Sequence, residues 1–245
     1  MHCQPRHKHE VYIWSKNTQT CLICDEPTET DDSVCNACET ELPWLMEHCE
    51  VCALPLPLDG LICGQCQRQP PAFTQVIAPW TYSFPVDSLI SRFKHQARWP
   101  LGRMLGRLLG HHLQHRFDNT ALTRPDALLP VPMAAKRLRE RGYNQALMLA
   151  RWLSTDLNIP CDEHVLLRPR ETLAQQALDA KTRKHNLLGA FALTADAQVQ
   201  GRHVALVDDV LTTGATAHSL ARLLINAGAR QVDVYCVART PKPGT

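Results

Sequence analysis

The chain has 245 residues, 44% of them hydrophobic, and a formal net charge of +2. That length suits one α/β domain with a small metal-binding module, and no apolar run approaches the roughly 18–20 residues of a membrane span, so the composition excludes an integral membrane protein. The charge is unevenly distributed, with −7 in residues 1–72, +7 in residues 73–150 and +2 in residues 151–245.

The first 70 residues divide into an extension and a cysteine-rich segment. Residues 1–18 contain three His without a pattern and no apolar signal segment, and we predict a disordered extension without a function of its own. Four CxxC pairs follow, each separated from the next by ten residues. Their members are Cys21 and Cys24, Cys35 and Cys38, Cys49 and Cys52, and Cys63 and Cys66.

Tandem CxxC pairs are typical of zinc ribbons, because two such turns bring four thiolates to one tetrahedral ion. We therefore predict two structural zinc sites within residues 19–70. Pairing of neighbours is the simplest arrangement, although the even spacing also allows an interleaved cross-brace. A disulfide framework would require an oxidising compartment, for which the chain shows no secretory signal. Thiolate ligands make this segment more acidic still, which places any nucleic-acid surface on the middle of the chain.

Strands and helices alternate after a short Pro-rich linker at residues 68–71. The apolar periodicity predicts strands at residues 76–82, 127–131, 165–167, 204–207 and 232–238, and helices from residue 85 and at 101–115, 144–157 and 216–227. Gly228 is expected to end the last helix. Because such alternation builds parallel sheets, we predict an α/β domain with a mainly parallel sheet over residues 73–240.

The segment from Val204 to Thr216 reads VALVDDVLTTGAT and constrains the chemistry more than any other. A buried strand is expected to lead into two acids. A Thr/Gly-rich turn then leads into a helix. Carboxylates at this end of a strand bind ligand hydroxyls, and clustered N–H groups at a helix N-terminus bind phosphate. The predicted sugar-phosphate site consists of Asp208, Asp209, Thr212, Thr213, Gly214, Ala215 and Thr216. The alternative is a plain strand–turn–helix in which the acids only cap the chain.

Two polar stretches lie between the predicted elements without being required by the core. In residues 136–145, a loop carrying Arg137, Arg139 and Arg141 would need an anion such as pyrophosphate to relieve its repulsion, and Gly142 would permit a sharp turn. A solvated basic helix start is the alternative. Residues 168–191 are predicted to form a flap over the site, with Arg183 directed at the same anion, or else a surface loop.

These motifs, in this order, resemble a known family. VDDVLTTGAT resembles the phosphoribosyl pyrophosphate (PRPP) signature of type I phosphoribosyltransferases. Together with the CxxC pairs, the Phe93-Lys94 segment and the run Arg141-Gly142-Tyr143-Asn144-Gln145, it makes residues 19–240 similar to the ComF/GntX family. The resemblance implies a type I phosphoribosyltransferase-like fold behind a double zinc ribbon, a cytoplasmic location, and a link to natural competence and the use of imported DNA.

The resemblance also assigns roles to residues. Asp208 and Asp209 would be the catalytic acid pair that holds the ribose hydroxyls, and residues 212–216 would hold the 5′-phosphate. The pyrophosphate would be bound, together with Mg²⁺, by Arg137, Arg139, Arg141 and Arg183. Purine-salvage relatives carry an Asp where this chain has Thr212, so the acceptor stays unassigned.

Three functional hypotheses follow. The first is a PRPP-binding protein that handles imported single-stranded DNA on a basic face formed by Lys94, Arg98, Arg103 and Arg107. The second is a true phosphoribosyltransferase of nucleotide salvage with an unknown acceptor. In the third, the acidic zinc module docks another protein, for instance a DNA-uptake helicase.

Overall fold

The computed structural model describes residues 19–29, 31–169 and 190–242. The predicted extension at residues 1–18 and most of the predicted flap, including Arg183, lie outside the described residues. The chain divides into two compact units, one up to Thr40 and one from Glu41 onward. That division falls inside the segment predicted as the zinc ribbon, and the domain limits of 19–70 and 73–240 stay a prediction.

The first unit is a small cysteine-rich hairpin. Strands β1 (Gln19–Thr20) and β2 (Pro27–Thr28) pair antiparallel, and helix α1 (Asn36–Thr40) follows. Asp25, directly after the second Cys of the first pair, has φ +62°. That left-handed conformation favours glycine, and it lets the turn bend back after the second ligand.

The second unit begins with a further cysteine-rich segment and continues into alternating strands and helices. Its elements are α2 (Gly64–Arg68), β3 (Val76–Ile77), β4 (Trp80–Thr81), α3 (Val86–Gln96), α4 (Trp99–Asn119), β5 (Ala127–Pro130), α5 (Ala135–Arg141), α6 (Gln145–Leu157), β6 (Leu166–Leu167), β7 (Ala192–Leu193), β8 (His203–Leu211), α7 (Ala215–Asn226) and β9 (Gln231–Arg239). The predicted strand at 76–82 is thus two short strands, and Gly228 follows the last helix as predicted.

The central sheet has the strand order β3-β9-β8-β5, and β4 pairs with β9 beyond β3. Every pairing in it is parallel, which confirms the predicted sheet. Strands β8 and β9 are buried almost throughout, as expected for central strands covered on both faces. The antiparallel pair β6–β7 forms a separate ribbon.

The longer helices each bury one face; α4, α6 and α7 pack against the sheet, and α3 packs against α4. In α3 the buried residues are Val86, Leu89, Ile90 and Phe93, and in α7 they are Ala217, Leu220, Ala221 and Leu224. The predicted basic loop at 136–145 is wrong in part, because residues 135–141 form the short helix α5. Gly142 ends this helix with φ +83°, which confirms the predicted sharp turn into α6.

The second cysteine-rich segment packs directly onto the sheet. Ala53 is fully buried and belongs to the same hydrophobic core as Val234 and Leu206. Thr81 donates its N–H to the Pro43 carbonyl at 2.9 Å, and the rings of Trp44 and Trp80 lie 5.5 Å apart. This cysteine-rich segment and the sheet therefore share one core.

Candidate functional site

The predicted acid pair lies where β8 loses one of its two neighbours. Strand β5 pairs with β8 only as far as Val207, whereas β9 pairs with it up to Leu211. Asp208 and Asp209 therefore stand just beyond the end of β5, two residues before the end of β8. Ligands of open parallel sheets bind at this position, outside the carboxyl ends of the strands.

Each acid is partly satisfied by the next residue of the chain. A carboxylate oxygen of Asp208 accepts the N–H of Asp209 at 2.9 Å, and one of Asp209 accepts the N–H of Val210 at 2.7 Å. This is the capping role of the alternative interpretation, but it occupies only one oxygen of each carboxylate. The remaining oxygens are available for other partners.

Lys94 is the partner of the second acid. Its Nζ lies 2.8 Å from Oδ2 of Asp209, and the two side chains are only 20% and 5% exposed. Helix α3 positions Lys94 because the adjacent Phe93 is anchored in the core. The charge pattern of the sequence predicts Lys94 on a DNA-binding face, whereas in the structure its charge is directed at the acid pair.

Burial determines the titration of the first acid. Loss of hydration, together with the nearby charge of Asp209, raises the pKa of Asp208 to about 8, and Lys94 opposes this shift. Strongly raised carboxyl pKa values of this kind are concentrated at functional sites.

The loop after β8 presents its backbone N–H groups without internal acceptors. Gly214 has φ +75° and precedes the first residue of α7. Within residues 19–29, 31–169 and 190–242, no backbone carbonyl accepts a hydrogen bond from the N–H of Thr212, Thr213 or Gly214. The N–H of Ala215 makes only a 3.4 Å contact with the Thr213 hydroxyl. Such a cluster of N–H groups at a helix N-terminus suits a phosphate.

Arg239, at the end of β9, holds this loop by donating hydrogen bonds to its backbone carbonyls. It is only 6% exposed, and its Nη1 donates to the carbonyls of Leu211 at 3.1 Å and Thr212 at 2.5 Å. Sequence patterns do not reveal this residue, since an Arg at the end of a strand belongs to no motif of its own.

Arg168, which no sequence motif identifies, is within electrostatic range of both the basic stretch and the acid pair. Burial lowers the pKa of Arg168, the charge of Arg137 lowers it further, and Asp208 raises it. Its guanidinium lies 5.2 Å from the centre of the Phe191 ring. In α5, Arg137 and Arg139 are exposed, whereas Arg141 donates to the Gln145 side chain at 2.5 Å.

An aromatic group adjoins the acid pair. The Tyr143 hydroxyl donates to the carbonyl of Phe93, and burial together with the charge of Asp209 raises the pKa of Tyr143. The Trp99 ring lies edge-on to Tyr143 at 6.0 Å and is 52% exposed. An exposed aromatic ring of this kind is compatible with stacking on a base.

The other residues of the predicted DNA face differ in their surroundings. Arg103 makes two 2.8 Å hydrogen bonds to the carboxylate of Asp156, so its charge is already paired. Arg98 is exposed, and Arg107 is partly buried. The structure therefore leaves Arg98 as the most accessible cation of this face, and the DNA role stays a prediction.

The cysteines form two separate clusters, which confirms the pairing of neighbours. We call Cys21, Cys24, Cys35 and Cys38 the first cluster, and Cys49, Cys52, Cys63 and Cys66 the second cluster. Sulfur atoms lie 3.8 Å apart between Cys24 and Cys35, and 3.7 Å apart between Cys52 and Cys63. A tetrahedral zinc ion with Zn–S bonds of about 2.3 Å requires sulfurs about 3.8 Å apart. All described cysteines are free thiols, so both clusters fit zinc rather than disulfides.

In the second cluster, backbone N–H groups favour the thiolate form of Cys49, which is the form that binds a metal. Burial alone would raise the pKa of Cys49, but N–H donors of Cys63, Cys52 and Val51 outweigh it and lower the pKa to about 7. The N–H of Cys63 lies 3.3 Å from the Cys49 sulfur. Ala53, after the second Cys of the pair, has φ +53°, matching Asp25 in the first cluster.

Comparison with known proteins agrees with both parts of the chain. Residues 18–67 match the double zinc ribbon domain, and residues 144–244 match the phosphoribosyl transferase domain. The protein is thus of the class that joins a double zinc ribbon to a type I phosphoribosyltransferase-like fold. A solved purine phosphoribosyltransferase from Pyrococcus horikoshii is 17% identical and covers 55% of this chain and 70% of its own, with a TM-score of 0.33.

Curated relatives define the family. The DNA utilization protein YhgH of Escherichia coli (strain K12) is 36% identical over 220 residues, which is 90% of either chain. Competence protein F of Haemophilus influenzae is 37% identical over 159 residues, covering 64% of this chain and 69% of that protein. The chain therefore belongs to the family of DNA utilization protein YhgH and competence protein F, which confirms the ComF/GntX resemblance. Among the described residues, no helix has the length and apolarity to cross a membrane.

Proposed function

We propose that this chain binds PRPP with Mg²⁺ at the carboxyl end of β8 and acts in the handling of imported DNA. The observation that carries the proposal is the acid pair, which stands next to a loop. In the part of the chain that the structure describes, the N–H groups of Thr212, Thr213 and Gly214 in this loop donate to no backbone carbonyl. A ligand that bears both a diol and a phosphate matches this arrangement, and PRPP is such a ligand.

In this proposal each group has a separate task. Asp208 and Asp209 accept hydrogen bonds from the ribose hydroxyls, and residues 212–216 donate N–H groups to the 5′-phosphate. Arg137, Arg139, Arg141 and Arg168 attract the pyrophosphate, with Arg183 as a further predicted ligand. Mg²⁺ bound with PRPP neutralises part of the pyrophosphate charge. Lys94 lies close enough to the acids to contact the same ligand.

The role in DNA handling comes from the relatives. Their names describe DNA utilization and competence, and they cover most of this chain. We propose single-stranded DNA as a partner of the basic middle segment, and a DNA-uptake helicase as a partner of the acidic zinc module.

Isothermal titration of Mg²⁺–PRPP into the zinc-loaded protein tests the ligand site. Above about pH 8, where Asp208 is ionised, we expect measurable binding by the native chain and at least about a hundredfold loss in an Asp208→Asn/Asp209→Asn variant, because two charge-assisted acceptors each contribute about 1.5–3 kcal/mol. Asp196→Asn, on an exposed turn, is the matched control and should bind like the native chain. Absence of binding by the native chain would refute the proposal.

Pyrophosphate release separates a binding protein from an enzyme. A phosphoribosyltransferase of nucleotide salvage would release pyrophosphate from PRPP when one member of a nucleobase panel is present. Thr212, where purine-salvage relatives carry an Asp, leads us to expect no release with purines. Release with any base would favour the alternative of a true transferase.

A further inference from the structure

One buried side chain connects the second cysteine cluster to the loop of the proposed phosphate site. The Arg239 guanidinium has only backbone carbonyls as hydrogen-bond partners within the described residues. Its Nη1 donates to Leu211, Thr212 and Thr240, and its Nε donates to the Cys52 carbonyl at 2.8 Å. Removing a guanidinium from water is unfavourable, and these charge-assisted contacts, three of which share the two hydrogens of Nη1, offset that loss while their partners stay in place.

At the loop end, Arg239 holds carbonyl groups whose peptide planes carry the N–H groups of Thr212 and Thr213. In a planar trans peptide the C=O and the N–H point in opposite directions. Arg239 holds the Thr212 carbonyl, and it shares the Leu211 carbonyl with the N–H of Thr240, which lies 3.0 Å from that oxygen. The N–H groups of Thr212 and Thr213 are therefore directed away from Arg239. These are N–H groups without acceptors among the described backbone carbonyls. Arg239 therefore helps to orient two of the five N–H groups of residues 212–216, above all that of Thr213, without touching the phosphate.

At the other end, Arg239 holds a turn whose shape depends on metal ligation. Cys52 belongs to the second cluster, and the following Ala53 donates its N–H to the Cys49 carbonyl at 2.9 Å. Ala53 is fully buried in the core of the sheet. Zinc bound by Cys49 and Cys52 would fix this turn, and with it the position of the Cys52 carbonyl.

We infer that Arg239 is a positioning residue through which zinc in the second cluster strengthens PRPP binding. The inference rests on the proposed function. Loss of zinc releases the Cys52 carbonyl, leaves the guanidinium incompletely paired, and lets the carbonyl of Thr212 reorient, whereas that of Leu211 stays held by the N–H of Thr240. Because coupling between two binding sites is reciprocal, PRPP must raise the zinc affinity of the second cluster by the same factor.

The test measures this reciprocity in the full chain. Zinc is titrated against a chelator that does not bind Mg²⁺, with and without saturating Mg²⁺–PRPP, in a Cys24→Ser/Cys38→Ser variant that retains only the second cluster. We expect PRPP to raise the zinc affinity about tenfold, within the range usual for coupled sites. The mirror variant, Cys52→Ser/Cys66→Ser, retains the first cluster and should show no effect of PRPP.

Substitution of the arginine shows whether it carries the coupling. Arg239→Lys keeps the charge but not the forked hydrogen bonds, and we expect it to reduce the tenfold factor to about twofold or less; Arg239→Met should abolish it. Arg124→Met is the matched control, because Arg124 also donates to a backbone carbonyl, that of Leu157, and its other partners among the described residues, Gln114 and Phe117, belong to neither site. It should lower the unfolding temperature and leave the coupling intact.

The outcomes separate the inference from the proposed function. If the native chain does not bind PRPP, the proposed function fails. If it binds PRPP while zinc affinity is the same with and without PRPP, only the coupling is refuted. Coupling that survives in Arg239→Lys and Arg239→Met would refute the role of Arg239. Should Arg239→Met fail to fold, the Lys variant alone decides the question.

Discussion

The environment of Asp208 disfavours the charged form of its carboxyl group. Its pKa is raised to about 8 from an ordinary value of 3.8, because burial removes hydration and Asp209 lies beside it. A carboxyl whose folded pKa exceeds its unfolded pKa binds the proton more tightly when folded. Its contribution to stability is therefore fully present below the unfolded pKa and is lost as pH rises toward the folded pKa.

We expect Asp208→Asn to raise the unfolding temperature at neutral and alkaline pH, since the amide removes the charge and keeps the shape. The gain should widen up to about pH 8 and level off above it. In a chain of this size each kcal/mol relieved corresponds to about 2–4 °C. Scanning calorimetry of the zinc-loaded proteins measures the gain, with Asp196→Asn as the exposed control. Equal unfolding temperatures for native and Asp208→Asn at pH 8 would contradict the assignment.

Helix α4 contacts its neighbours through glycines spaced four residues apart. A Cβ added at Gly102 would lie 2.5 Å from the Phe93 ring, whereas one added at Gly110 would meet Leu153 at an ordinary 3.6 Å. Phe93 is almost fully buried and adjoins Lys94. The close approach of α4 to α3 at Gly102 therefore helps to place the lysine that faces the acid pair.

Alanine substitutions at these two glycines should have opposite effects. Gly110→Ala should raise the free energy of unfolding by about 0.5–1 kcal/mol, because alanine has the higher helix propensity. Gly102→Ala should lower it by about 1–3 kcal/mol, because the ring of Phe93 must move. Urea denaturation monitored by circular dichroism gives both values. A Gly102→Ala protein as stable as Gly110→Ala would show that the contact with Phe93 is not tight.

The charge of the whole chain restricts where DNA can bind. The middle segment carries +7, but Lys94 and Arg103 are paired with Asp209 and Asp156. Arg98 is exposed and adjoins the half-exposed ring of Trp99. A cation beside an aromatic ring is the combination that binds single strands through phosphate and base.

A filter-binding salt series with single-stranded DNA tests this surface. Arg98→Gln should weaken binding and reduce the slope of log K against log salt by about 0.7, the value for one phosphate contact on a single strand. Trp99→Ala should weaken binding by about 1–3 kcal/mol with little change in slope. Arg103→Gln is the control and should have the smaller effect, since Asp156 already neutralises it. Binding indifferent to both Arg98 and Trp99 would remove the predicted face.

The amino-acid sequence predicts those structural features that depend on residues close together in the chain. Strand β8 is a continuous apolar run, Gly142 and Gly228 mark turns that need positive φ, and the even CxxC spacing predicts two four-cysteine clusters. Each of these follows from the properties of neighbouring residues. The fold class is therefore predictable from the amino-acid sequence alone. The predicted strand at 204–207 is too short, because β8 continues to Leu211 beside β9 and contains both acids.

Contacts between distant residues could not be predicted in this way. Lys94 and Asp209 are far apart in the chain, and their ion pair depends on where α3, which packs against α4, places the lysine. The charge run at residues 136–141 could equally be a loop or a helix, because nothing local selects between them, and it is the helix α5. Arg239 contacts Cys52 only because β9 ends beside the second cysteine-rich segment.

The second cysteine-rich segment and the sheet share one core. This limits the positions at which the protein can be divided into fragments. A fragment that starts at residue 73 would omit Ala53 and Leu45 and uncover the apolar surface on which they pack. It would also leave the Arg239 guanidinium without the Cys52 carbonyl. A fragment that starts at Glu41 keeps these contacts, so any study of the transferase-like part in isolation should begin there.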